Sequence, residues 1–329
     1  MLFEPQVERL PDHYPWAQSF IEAMQEGFWT AKKFTFDRDA TDYELHMTDA
    51  ERQVVSRCLA AIAQIEVAVK KFWARLGDHL PHPSITDLGI TMGYIEVIHN
   101  NAYEKLLKKL GLSHVFKENM SVPALAGRVG YLTKHNDKVY GDDKKQYIYS
   151  LILFTLFVEN VSLFSQFFII LHLNRFHKLL SDAAQQVKYT RNEELLHAQA
   201  GTKIINTLRQ EYPELFDDEL ERRVVSEARE ALKAEEALID WMVGDYSRSG
   251  FEQGKEYPLN AEILKHYVAE RLNSSLVDIG FKAQFAVPVT LPEDTFWMIS
   301  GQLAPAKVDF FDTEPTSYQQ ADQPDEDEF

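Results

Sequence analysis

The stretch YIEVIHNNAY, residues 94–103, places Glu96, His99 and Tyr103 at positions i, i+3 and i+7. On a helix these three side chains fall within about 60° of one another, and His99 and Tyr103 stand about 6 Å apart along the axis. An acid, an imidazole and a phenol then address one small volume. A second Glu-x-x-His occurs at Glu194 and His197, within RNEELLHAQAG. About one such spacing is expected by chance in a chain of this composition, so the setting decides more than the spacing does. Each pair lies mid-helix, and each is matched by a further Glu in an apolar helix: Glu66 in AAIAQIEVAVKKFW and Glu159 in LFTLFVENVSLF. An ionised carboxylate in a core is costly unless it is paired or binds a cation. Two of them call for a common partner, and a shared pair of metal ions supplies it. Oxygen donors with one imidazole per ion favour redox-active iron or manganese over zinc or copper.

The elements that must position these residues read as helices almost throughout. Residues 50–76 form a long amphipathic segment with Thr48 or Asp49 as N-cap and Gly77 as its stop. Further helices are predicted over 86–110, ending at Gly111, and over 122–135, 143–173, 180–210, 217–243 and 259–277. Strand signals are scarce. Four helices contributing Glu, Glu-x-x-His, Glu and Glu-x-x-His, in that order, make the carboxylate-bridged site of a ferritin-like bundle. The expected fold is therefore all-α, a ferritin-like helical bundle with additional helices over residues 1–290. An irregular region follows over 291–329. It ends in TEPTSYQQADQPDEDEF, which is too polar and acidic to order itself and reads as a flexible tail.

Composition narrows the function. The chain has 329 residues, of which 45% are hydrophobic, enough for a sizeable core. A net charge of −17 and the lack of any basic run argue against nucleic acid or an anionic membrane as partner. One cysteine, Cys58, excludes an internal disulfide framework and a Cys-rich metal site, and points to a reducing, cytoplasmic setting. Residues 151–173 are long and apolar enough to span a bilayer, but Glu159, Asn160, Ser162, Ser165 and Gln166 sit at their centre. A helix buried on all sides of a large bundle is the preferred reading.

The order Glu66, Glu96-x-x-His99, Tyr103, Glu159, Glu194-x-x-His197 resembles the small, radical-generating subunit of class I ribonucleotide reductases, and the likeness extends over nearly the whole chain. FWTAKKFTFDRDATDY, residues 28–43, resembles the segment that carries the family's radical-transfer tryptophan, which falls on Trp29. KVDFFDTEPTSYQ and the terminal DEDEF resemble the stretch bearing a tail tyrosine, here Tyr318, and the end that docks on the large subunit. The resemblance implies that Glu66, Glu96, His99, Glu159, Glu194 and His197 hold a dinuclear metal centre beside Tyr103. It further implies a relay from His99 through Glu193 and Trp29 to Tyr318, a homodimer, and a large (alpha) subunit as partner. Glu66 and Glu193 stand where the family more often has Asp; the subgroups that this chain resembles in having Glu at the first of these positions use manganese, which favours a manganese pair, with diiron next. Whether Tyr103 carries a radical or only packs beside the site stays open. A stand-alone ferritin-like dimetal oxidase or oxygenase is the alternative, although it has no need of Trp29 or of a tail bearing Tyr318.

Overall fold

The computed structural model describes residues 1–119, 121–127 and 143–300, leaving aside the side chains of residues 63–68, 116, 299 and 300. The chain runs through α1 (Trp16–Glu26), α2 (Asp37–Thr41), α3 (Asp49–Ala74), α4 (Leu76–His79), α5 (Pro83–Lys109) and α6 (Val115–Asn119). It resumes with α7 (Lys144–Leu153), a π-helical stretch (Phe154–Ser162), α8 (Phe164–His177), α9 (Ser181–Glu211) and α10 (Asp218–Val243). A hairpin of β1 (Arg248–Glu252) and β2 (Lys255–Leu259) precedes α11 (Ala261–Asp278), α12 (Leu291–Thr295) and α13 (Trp297–Ser300). The fold is the expected ferritin-like helical bundle. Most of the helix predicted over 122–135 lies outside the described residues.

Local chemistry sets the ends of the helices that matter. Thr48 caps α3 in a reciprocal capping box with Glu51, a contribution of about 1 kcal/mol. The helix stops at Ala74 with Arg75 as C-cap, and not at Gly77 as the sequence predicted. Gly77 lies inside α4, where a Cβ would fall 2.3 Å from the Thr86 hydroxyl, so it serves close approach to α5. At the end of α5, Gly111 adopts φ +72°, the left-handed conformation that glycine reaches without strain. Its N–H donates to the Lys108 carbonyl at 3.2 Å and that of Leu112 to Leu107 at 2.8 Å, the paired bonds of a Schellman stop.

Four segments pack in a closed ring around the interior: α3 against α5, α5 against α9, α9 against the π-helical stretch, and that stretch against α3. Missing side chains bring them close. A Cβ at Gly93 would sit 3.1 Å from Ala74 on α3, and one at Gly201 would sit 2.3 Å from the Thr155 hydroxyl across the ring.

Residues 143–173 differ from the single helix predicted there. Asp143 caps α7 by accepting from the N–H groups of Lys145 and Gln146. The helix then widens into π turns over Phe154–Ser162 before α8 begins. The apolar segment from Lys144 to His177 lies in the interior of the bundle, which agrees with the buried-helix reading. The hairpin was not anticipated. Its turn residues Gln253 and Gly254 both have positive φ, at 52° and 80°, the signature of a tight two-residue turn whose twist matches the strands. Gly250 on β1 lies flat against Phe176 of α8, and Arg175 forks onto Glu252 with bonds of 3.0 and 2.7 Å. Residues 291–300, at the start of the region expected to be irregular, form the two short turns α12 and α13, and Trp297 is buried.

Candidate metal centre

Three sides of the ring send carboxylates or imidazoles inward. From α5 come Glu96 and His99, from the π-helical stretch Glu159, and from α9 Glu194 and His197, all no more than 1% exposed. One donor atom from each of Glu96, Glu159, Glu194 and His197 lies within 4.8 Å of the others. His197 turns Nδ1 into the group, 2.9 Å from Glu96 Oε1, 3.4 Å from Glu194 Oε2 and 3.6 Å from Glu159 Oε2. His99 also turns Nδ1 inward, 3.3 Å from Glu96 Oε2 and 3.2 Å from Glu194 Oε1.

Both of these helical positions exist because Glu and His three residues apart share a face. Glu159 reaches the same volume from a π-helix, whose wider turn shifts the phase of every following side chain; such turns concentrate at functional positions.

The outer side of His99 continues into a hydrogen-bonded chain. Its Nε2 meets Glu193 Oε2 at 2.7 Å. The same oxygen accepts the indole N–H of Trp29 at 2.8 Å, and the Trp29 and His99 rings stack with centroids 6.1 Å apart. With Nε2–H committed to a carboxylate, it is the Nδ1 proton that a cation in the interior group would displace, leaving that lone pair facing it. Glu193 and Trp29 are both 4% exposed, so the chain is closed to bulk water.

The electrostatics fit a cation site. Glu96, Glu159 and Glu194 share a low-dielectric interior in which none has a Lys or Arg partner among the described residues. Burial and then the neighbouring Glu194 push the Glu159 carboxyl well above its ordinary range. Burial also opposes ionisation of Glu194, but the polar groups of Glu159, His197 and His99 pressed against it outweigh that and hold the carboxyl low. The imidazoles of His99 and His197 are raised well above 6.5 by the surrounding carboxylates, against burial. Protons on these groups thus offset the negative charge. Among the described residues, Glu96 Oε1, both Glu194 oxygens and both His197 nitrogens have no hydrogen bond of acceptable angle. Lone pairs that converge on shared space without bonding one another suit metal ions that displace the protons.

Of the residues singled out from the sequence, the fold thus brings together Glu96, His99, Glu159, Glu194, His197, Glu193 and Trp29. Tyr103 is buried on α5 one turn beyond His99. Glu66 belongs to α3, and its side chain lies outside the described residues, as does all of Tyr318. One contributor was missed. Trp73 of α3 donates its indole N–H to Glu159 Oε1. It stands seven residues after Glu66, on the same helical face, which is the signal that could have found it.

The fold and this buried Glu/His group define a ferritin-like helical protein with a carboxylate-rich centre. Residues 7–292 match the family described as Ribonucleotide reductase, small chain, and the chain belongs to that family. The ribonucleoside-diphosphate reductase subunit beta of Halalkalibacterium halodurans is 21% identical over 310 residues, covering 93% of this chain and 86% of that one. Among solved structures, the ribonucleotide reductase R2 subunit from Clostridium botulinum superposes with a TM-score of 0.76 at 18% identity, covering 87% of this chain and 88% of that one. The dimanganese(II)-NrdF of Streptococcus sanguinis gives a TM-score of 0.72 at 14% identity, covering 88% and 96%. The chain is thus the small subunit of a two-subunit oxidoreductase, ribonucleoside-diphosphate reductase, and its partner is the large subunit. Family and buried cluster together support a dinuclear metal site.

Proposed function

We propose that Glu66, Glu96, His99, Glu159, Glu194 and His197 hold the two metal ions and that His99, Glu193 and Trp29 connect them to the large subunit. The observation that carries this reading is the single oxygen, Glu193 Oε2, that bridges His99 Nε2 at 2.7 Å and the Trp29 indole at 2.8 Å. The chemistry a bound pair supplies is one-electron oxidising power drawn from an oxygen-derived oxidant. The protein's part is geometric and protonic. Trp73 fixes one oxygen of Glu159 and leaves the other for an ion. Glu193 fixes the His99 tautomer and is positioned to hold the indole proton when an electron leaves Trp29. Burial keeps water from quenching the oxidised side chains.

Manganese is the favoured metal. The donor set is oxygen-rich with one imidazole per ion, and a structural neighbour is described as a dimanganese(II) protein; a diiron centre comes next. Tyr103, buried one turn from His99, is either the seat of a radical or a packed phenol. A homodimer is supported by an apolar stripe on α5, where Ile90, Tyr94 and Val97 are exposed and Phe28 stacks on Tyr94. The tail bearing Tyr318 would dock on the large subunit, in the cytoplasm.

The test is Trp29→Phe, which removes the N–H but keeps an aromatic ring. Activity dependent on the large subunit should fall by at least about 100-fold, while metal content stays at the level of the unchanged protein. Full activity in the variant would refute the relay. Removing the last dozen residues should have the same pair of effects, whereas a stand-alone oxidase would be indifferent to both changes.

A further inference from the structure

Far from the carboxylates in character, though on the same helix, lies a cavity of about 480 Å³ where the end of α8 meets the start of α9. Its lining includes Arg38, Arg175, Lys178, Lys188 and Arg191, against one acid, Glu252. Five cations around one small space are unexpected in a chain of net charge −17.

Their pairing makes the excess larger than the residue types alone suggest. Arg175 is engaged by Glu252. Arg38 stands 4.0 Å from Asp42, the outer limit of an ion pair, and among the described residues Lys178 donates only to the Arg175 carbonyl at 2.9 Å. Arg191 is 3% exposed; one Nη donates to the Met298 carbonyl, and its Nε and other Nη have no partner among the described residues. A buried guanidinium with two unmade bonds is costly to keep. Burial, and then repulsion from Arg191 and Arg175, pulls the Lys188 ammonium below its ordinary value. These cations repel one another around shared space, and an anion there would relieve both the repulsion and the unmade bonds.

We propose that this cavity is a binding site for a small polyanion carrying two or more phosphoryl groups. A guanidinium presents paired N–H donors that match phosphate oxygens, and lysines supply point charges that single carboxylates would leave uncompensated. The volume admits a compact di- or triphosphate and excludes a nucleic-acid duplex. No metal ion and no residue of the candidate centre takes part in it.

The experiment is titration calorimetry of the full chain with inorganic tripolyphosphate, in chloride buffer free of phosphate and sulfate. Saturable binding near one equivalent per chain is expected. Lys188→Gln and Arg38→Gln, both at accessible positions, should each weaken it at least about tenfold. Arg191→Gln should abolish it, with circular dichroism verifying that the variant is folded. A nucleoside triphosphate in parallel separates the sources: equal affinity means that only the phosphates are read, tighter affinity that a nucleoside is read as well. Absence of saturable binding, or binding unchanged in Lys188→Gln and Arg38→Gln, would overturn the proposal. So would binding that appears only in a chain ended after Ser300, which would assign the cavity to the chain's own acidic terminus.

Discussion

Helix α9 holds two opposite electrostatic solutions within three turns. Lys188 and Arg191 face a cavity whose charged lining is mainly cationic, and Glu193, Glu194 and His197 face a group lined mainly by carboxylates. The two differ in how charge is offset inside the protein. In the acidic group, imidazoles raised above 6.5 and a Glu159 carboxyl raised by burial can share protons, so charge is adjustable without a ligand. Guanidinium groups do not give up protons at accessible pH, and Arg191 has no such outlet. The acidic centre is thus built to exchange protons for metal, while the basic cavity can be neutralised only from outside.

The largest effect that would break this comparison is on metal loading. Glu194→Ala removes a carboxylate that lies within 3.4 Å of both imidazoles. Metal content measured by mass spectrometry should fall to near zero in this variant, with helicity retained. The same protons give a pH dependence with a defined sign. His99 and His197 must lose protons to bind metal, so affinity should rise with pH through the neutral range, by up to about tenfold per pH unit for each proton displaced. A pH-independent affinity would mean that these imidazoles are not ligands.

A smaller effect separates the basic region from the centre. His172 donates Nε2–H to the Tyr257 carbonyl at 2.9 Å and packs against Trp297, which also lines the cationic cavity. Burial pushes its imidazole down to about 4 from the ordinary 6.5. Below pH 6.5 the unfolded chain takes up the proton more readily than the folded one. This residue's share of stability is therefore full above pH 6.5 and is lost as pH falls towards 4, by at most about 3 kcal/mol. Urea titrations at pH 7 and pH 4.5 should show a smaller loss in His172→Gln than in the unchanged protein. The smallest effect concerns Trp73. Trp73→Phe removes one hydrogen bond to Glu159 and should weaken metal affinity by about 10- to 100-fold without preventing folding.

The acidic centre was legible in the sequence because its ligands break a rule locally. Glu159 sits among Phe157, Val158 and Val161, and a Glu in such company announces a partner. Helix periods and caps placed α3, α5 and α9 to within a few residues. The π turns around Glu159 were not legible, since a segment apolar on all sides gives no phase from which a wider turn could be read. The hairpin was missed because RSGFEQGKEYPL lacks alternating apolar residues, and only its Gln-Gly turn hints at it. The cationic cavity left no trace at all. Positions 38, 175, 178, 188 and 191 come from three segments and form no basic run, so only the fold gathers them.

The central claim is that the Glu and His side chains inside the ring hold two metal ions. Anomalous diffraction from crystals of the full chain loaded with manganese tests it most directly. Two peaks about 3.5–4 Å apart are expected, within bonding distance of Glu96, His99, Glu159, Glu194 and His197. A single peak, or none between those side chains at full loading, would contradict the account.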